Sequence, residues 1–216
     1  YPGLLMRTPY GKPAGCDPNW VRSGYVVVSQ DLRGRYASDG EFSSFSVPDT
    51  LDGQDGYDTI EWLADQPFCN GRVGTLGTSY PAWVQWEAAA LQPPHLLAMA
   101  AFSIPPEIPD LDSPATFRVG RRLSWWLTAI APDLRRRAGL PGPHTPAEAR
   151  EMTKLPGGWH WLSELPVAAV VDSLPPPLAD EARRWLQRPG EPVWRFTDKH
   201  RQVTVPNLDC TGWYDH

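Results

Sequence analysis

Residues 74–83, Gly-Thr-Leu-Gly-Thr-Ser-Tyr-Pro-Ala-Trp, place one serine, Ser79, between small residues where the hydrophobic pattern changes. Before it, residues 71–77 (GRVGTLG) read as a short strand. After it, residues 82–92 (AWVQWEAAALQ) are Ala-rich and helical, and Pro93-Pro94 stops them. A serine so placed is either a nucleophile on a strained strand-to-helix turn or an ordinary residue of a βα turn. The nucleophile pattern is usually G-x-S-x-G, because the crowded turn needs small residues two before and two after the serine. Gly77 meets the first requirement, but Pro81, followed by Ala82, stands at the second, so the strict pattern is broken. Proline is tolerated there, since the first turn of a helix has no use for the missing N–H.

Working outward, residues 3–7 (GLLMR) form a short apolar run closed by Thr8-Pro9. Residues 24–31 (GYVVVSQD) are β-branched and nearly continuous, as a strand covered on both faces requires. Residues 49–67 carry Tyr57, Ile60, Trp62 and Leu63 at helical spacing, acidic residues early and Pro67 at the end. Residues 96–103 (LLAMAAFS) read as a further strand. Strands alternating with helices at this spacing predict a parallel sheet with right-handed crossovers. From residue 104 to about 206 the pattern changes to helix-like pieces broken by prolines, with Arg, Trp and Leu recurring at three and four. Residues 205–215 (VPNLDCTGWYD) then return to the sheet, with Asp215 at the end. The expected division is therefore an α/β core over 1–104, a helical insertion over 105–205 and a return to the core over 206–216.

Composition excludes several classes. The formal net charge is −5 with no basic tract, which argues against a nucleic-acid or anionic-membrane surface. The apolar runs are too short to span a bilayer as a helix. Cys16, Cys69 and Cys210 are odd in number and widely spaced; they are expected to be small buried apolar residues, neither a disulfide framework nor a zinc site. The His, Asp and Glu residues show no metal-ligand spacing on a common helix face, so no metal or cofactor is expected. The 25 prolines suggest loop-rich connections, and the 11 tryptophans apolar clefts or layered packing. The chain opens at Tyr1 inside an apolar run, and an internal piece of a longer polypeptide is the expectation.

Four blocks in order carry a resemblance: LLMRTPYGK (4–12), VVVSQDLRGRYASDGEF (26–42), the long block from Asp55 through GTSYPAW to Ala89, and GWYD (212–215). Together they resemble the cocaine esterase-like branch of the α/β-hydrolases, which includes Xaa-Pro dipeptidyl peptidases and α-amino-acid ester hydrolases. That resemblance implies an α/β-hydrolase parallel sheet with a helical cap between strands, lacking here its first strands, its last strands and a C-terminal jelly-roll. Members carry Gly-x-Ser-Tyr-x-Gly at the turn, so Ser79-Tyr80 fits and Ala82 replaces the last glycine. The resemblance makes Ser79 the nucleophile and Asp215 the triad acid. It makes the backbone N–H of Tyr80 and the phenol of Tyr10 the oxyanion donors. A phenol suits that role, being a neutral donor at pH 7; an interface tyrosine on a loop is the alternative for Tyr10. Residues 31–42 (DLRGRYASDGEF) are expected to be a structural loop near the site, locked by an Asp31–Arg33 ion pair.

The histidine is the missing member. In this fold the order is serine, acid, histidine. His95, His144, His160 and His200 all precede Asp215, and His216 adjoins it, where neighbouring side chains leaving a strand point to opposite faces. A triad of Asp209 and His216 stays as the alternative. The base is otherwise expected beyond residue 216, leaving this piece alone with little or no activity. Trp125, Trp126, Trp159 and Trp161 are candidate linings of an acyl pocket under the cap, with helix packing as the other reading of each. Three functions stay open. One is a hydrolase of acyl esters or amides, acting on a small-molecule or short-peptide substrate. Another is an Xaa-Pro dipeptidyl peptidase or α-amino-acid ester hydrolase. The third is a catalytically incompetent relative or binding module. Localisation and oligomeric state are not legible in the sequence.

Overall fold

Residues 1–44, 51–103, 123–154, 169–186 and 199–212 are described by the structure, a computed structural model. Five strands, β1 (Gly3–Thr8), β2 (Val26–Asp31), β3 (Val73–Thr78), β4 (Leu96–Phe102) and β5 (Asn207–Cys210), form one sheet in the order β2-β1-β3-β4-β5. Every neighbouring pair is parallel, so the fold is α/β as the alternating pattern predicts. Helices α1 (Pro18–Arg22), α2 (Asp52–Ala64) and α3 (Tyr80–Ala89) make the first three crossovers. α1 has no counterpart in the sequence reading. It starts because the Asp17 carboxylate accepts the N–H of Asn19 at 2.9 Å, with Pro18 in its first turn.

Strand β1 sorts its side chains by alternation. Leu5 enters a core with Ile60, Leu63, Val73, Ala88 and Met99, whereas Leu4 and Met6 are half-buried. α2 reaches that core with Ile60 and Leu63, as its apolar spacing suggests, and with small residues that carry no apolar signal. Gly53, Gly56, Thr59, Ile60, Leu63 and Ala64 are buried, while Trp62 is 53% exposed. Small residues let α2 approach α3 closely: a Cβ on Gly56 would lie 2.7 Å from the Ala88 Cβ. α3 is tied to the sheet by buried Gln85. Its Oε1 accepts from the Thr75 hydroxyl at 2.9 Å, and its Nε2 donates to the Pro81 and Ala100 carbonyls at 2.9 and 3.2 Å.

The chain divides into two compact units, Tyr1–Ile108 with Trp194–His216, and Pro109–Val193. The described elements of the second are a π-helical turn (Trp126–Ile130) running into a helix (Ala131–Arg137), and helices Pro146–Met152, Val170–Ser173 and Pro176–Leu186. Within it, buried Arg135 donates twice to the Pro141 carbonyl, at 3.0 and 2.8 Å. Glu181 accepts from the Trp126 indole at 2.8 Å. Among the described residues no helix is long and apolar enough to cross a membrane.

The cysteine expectation is corrected. All three are unpaired, but Cys16 and Cys210 are exposed and Cys69 is half-buried. Cys16 sits in the loop before α1, and Cys210 ends β5, a strand with three exposed residues out of four.

Candidate active site

The site follows from strand order. The chain leaves β1 for β2 on one side, then passes back across β1 to build β3 and β4 on the other. Between β1 and β3 the loops at the carboxyl ends therefore diverge, and that divergence is where open α/β sheets make their crevice. Gly3, Leu4 and Leu5 pair with Val73, Gly74 and Thr75. Carried upward, this register brings Thr8-Pro9-Tyr10 to the level of Thr78-Ser79-Tyr80.

Ser79 has φ 64° and ψ −127°, a left-handed conformation that L side chains rarely adopt. Its main chain is fully used: the N–H donates to the Phe102 carbonyl at 2.9 Å, and the carbonyl accepts from Ala82 and Trp83 at 2.8 and 3.0 Å. The side chain makes no capping bond to α3, although serine favours that role, and the residue is exposed. Strain thus holds a hydroxyl out at the carboxyl edge of the sheet. Gly77 is part of the same device. A Cβ there would meet the Pro81 Cβ at 2.5 Å and the Pro81 main chain at 2.9 Å, so the helix starts directly over that glycine. Pro81 lies in the first turn of α3, where its lack of an N–H breaks nothing.

Tyr80 opens α3, a position whose N–H points back past the helix start. Its side chain turns the other way and is fully buried, edge-on to Trp83 with ring centres 5.1 Å apart. The Tyr80 hydroxyl donates to Asp52 Oδ2 at 3.1 Å. Arg7, on the helix-facing side of β1, donates from Nη1 to the Asp52 carbonyl at 2.6 Å and from Nε to Gln30 Oε1 at 2.7 Å. Arg7 and Asp52 are each 5% exposed. Burial pushes the Asp52 carboxyl up to about 6, against the pull of Arg7 and the Tyr80 hydrogen bond. Burial likewise lowers the Arg7 guanidinium, opposed by Asp52 and Asp55, and raises the Tyr80 phenol well above 10, so Tyr80 stays a neutral donor. The sequence reading missed this cluster; its one signal was an arginine near the end of a short apolar strand.

Tyr10 lies just past β1, half-buried, with its N–H on the Thr8 hydroxyl at 3.1 Å. The loop after β2 is locked, but by pairs other than the expected Asp31–Arg33. Asp31 accepts the Lys12 N–H at 2.6 Å and lies 3.6 Å from the Lys12 ammonium. Arg33 instead holds Asp55 of α2 with Nε and Nη2, the former at 2.9 Å. Asp31, at the buried end of β2, faces the loop after β1, whereas Arg33 has passed the sheet edge and reaches α2.

Asp215, His216, Trp159 and Trp161 lie outside the described residues. Trp125 and Trp126 belong to the second unit, with ring centres 6.4 Å apart; Trp126 is buried and Trp125 half-buried. Among the described residues no histidine hydrogen-bonds Ser79. His95 pairs with Glu61 at 2.7 Å, His144 bonds the Leu140 carbonyl at 2.7 Å, and His200 lies against Trp86. No group of His, Cys, Asp and Glu among the described residues could hold a metal ion.

Comparison with known proteins agrees with this architecture. Cocaine esterase of Rhodococcus sp. (strain MB1 Bresler) is 45% identical over 96 residues, 41% of this chain and 16% of the esterase. The structure of an α-amino acid ester hydrolase superposes with a TM-score of 0.50 at 21% identity, covering 81% of this chain and 36% of that one. A CocE/NonD family hydrolase from Staphylococcus aureus is 32% identical over 50% of this chain and 24% of its own, with a TM-score of 0.39. The chain thus matches only a minor part of each relative's length. The sequence model of the X-Pro dipeptidyl-peptidase (S15) family matches residues 1–216, the whole of it. The chain belongs to the X-Pro dipeptidyl-peptidase (S15) family.

Proposed function

We propose that the protein containing this chain is a serine hydrolase of acyl esters or amides. The observation that carries the proposal is the strained, outward-held Ser79 at φ 64° between β3 and α3. Strain at a residue whose side chain makes no capping bond to the helix it starts is what a presented nucleophile requires. In the proposed reaction Ser79 Oγ attacks the acyl carbon as a histidine downstream of the acid takes its proton. Asp215 orients that imidazole and stabilises its charge. The Tyr80 N–H and the Tyr10 phenol stabilise the oxyanion, from the two loops that diverge at the switch point. The residue 105–205 insertion is proposed as a cap whose Trp125, Trp126, Trp159 and Trp161 favour bulky apolar acyl groups.

The family match favours a second reading, an Xaa-Pro dipeptidyl peptidase, for which a free amino terminus would have to be recognised. Both are tested on the full-length protein. A fluorophosphonate probe is expected to label it, and Ser79→Ala to abolish labelling and lower kcat by on the order of 10⁴-fold or more. Tyr10→Phe is expected to lower kcat by about 10²-fold. Relative rates on a simple acyl ester and on a dipeptidyl-proline amide then separate the two. A full-length protein that resists the probe and cleaves neither substrate is not a hydrolase of this kind.

A further inference from the structure

We propose that Asp52 is a positioning residue for this site. It holds the Tyr80 phenol, and through Tyr80 it fixes the main-chain N–H that faces the developing oxyanion. The proposal rests on the hydrolase reading above. A nucleophile elbow needs its first helical residue immobile, because an oxyanion donor displaced by a fraction of an ångström loses most of its effect. Tyr80 is that residue, and its buried phenol donates to the Asp52 carboxylate at 3.1 Å, with the Ser43 carbonyl farther off at 3.5 Å. Phe42 and Trp83 confine the ring on other sides, with centres at 6.1 and 5.1 Å.

Asp52 is itself fixed. It lies in the first turn of α2, and its carbonyl is gripped by Arg7 at 2.6 Å. Arg7 stands on β1, whose carboxyl end leads to Tyr10. One buried chain of contacts, β1–Arg7–Asp52–Tyr80–α3, therefore links the two strands whose ends are proposed to supply the oxyanion donors. A buried carboxylate is costly, and a neutral residue would serve packing alone as well. What the charge adds is a hydrogen bond about twice as strong as a neutral one. The charged and titratable groups around Asp52 are Arg7 from β1, Tyr80 and Glu87 from α3, Asp55 from its own helix, and Arg33 and Glu41 from the segment after β2. Glu87 is held in turn by Lys199 at 2.7 Å.

The test uses the full-length protein and four variants: Tyr80→Phe, Asp52→Ala, the double variant and Asp52→Asn. Tyr80→Phe and Asp52→Ala are each expected to lower kcat about tenfold with KM little changed, since the loss falls on a donor used in the transition state. The double variant is expected to lose no more than either alone, because both remove the same bond. Asp52→Asn keeps an acceptor and is expected to restore most of the rate. Its kcat relative to wild type should rise towards one as pH falls from 8 to 5, where the wild-type carboxyl becomes neutral too. Taking that ratio cancels the titration of the triad histidine. Folded variants with wild-type kcat, or losses that multiply in the double variant, overturn the proposal and leave the hydrolase reading standing. Wild-type protein that the fluorophosphonate probe does not label overturns both. If Asp52→Ala does not fold, Tyr80→Phe and Asp52→Asn, which keep the packing, decide the matter.

Discussion

At the scale of single residues the site is a contest between stability and placement. Asp52 is the clearest case. In the unfolded chain its carboxyl titrates near 3.8, and in the fold near 6, because burial disfavours the charge more than Arg7 and Tyr80 favour it. Between those values the folded protein holds a proton that the unfolded chain has released. Asp52 therefore contributes most to stability below about pH 4, and that contribution is lost as pH rises through about 6. The gap corresponds to about 3 kcal/mol at neutral pH. Asp52→Asn is thus expected to unfold at higher urea than wild type at pH 8, by about 1–3 kcal/mol, and at the same urea at pH 4. Urea titrations at the two pH values check this; equal effects at both would mean that the carboxylate is not held charged at a cost. Ser79 was legible from Gly77 before it and the helix after it. Asp52 was not, because an aspartate near a helix start is an ordinary residue until the fold sets a buried phenol against it.

At the scale of elements, small residues decide the packing. In isolation Gly56→Ala would favour helix α2 by about 1 kcal/mol. Here the added Cβ would meet the Ala88 Cβ at 2.7 Å and Arg7 Nη1 at 2.8 Å, so α2 must move off α3 and the Arg7 guanidinium must shift. Overpacking of this kind costs about 1–3 kcal/mol, enough to outweigh the helical gain. Gly56→Ala is expected to lower stability in a denaturant titration, and a net gain would show that the two helices part freely. Hydrophobic periodicity found α2, its approximate ends and its core residues Ile60 and Leu63, but it also named Trp62, which is exposed, and passed over the buried Gly53, Gly56 and Thr59. Glycine and threonine carry no weight in an apolar pattern, yet they govern how closely helices approach. α1 escaped because five residues are too few to show a period; only Asp17-Pro18 announced it.

At the scale of the whole chain, a parallel sheet was implied by the alternation of strands and helices, whereas the order of the strands within it was not. Central β1 and β3 pair on both sides, and β5 pairs with β4 through four residues, three of them exposed. Hydrogen exchange is accordingly expected to be slowest for the amides of Leu5 and Thr75 and faster by orders of magnitude for Asn207–Cys210. Uniform protection across the sheet would contradict this ranking. The β4–β5 pairing also carries a consequence for biosynthesis. Met99–Phe102 pairs with Asn207–Cys210, and the second unit, Pro109–Val193, is translated between them. At roughly 5–20 residues per second, the edge of β4 waits on the order of 5–20 s for its neighbour to leave the ribosome. During that interval an unpaired strand edge is open to any other nascent chain nearby. Production of this protein should therefore be more sensitive to chaperone supply and to translation rate than its native stability alone would suggest.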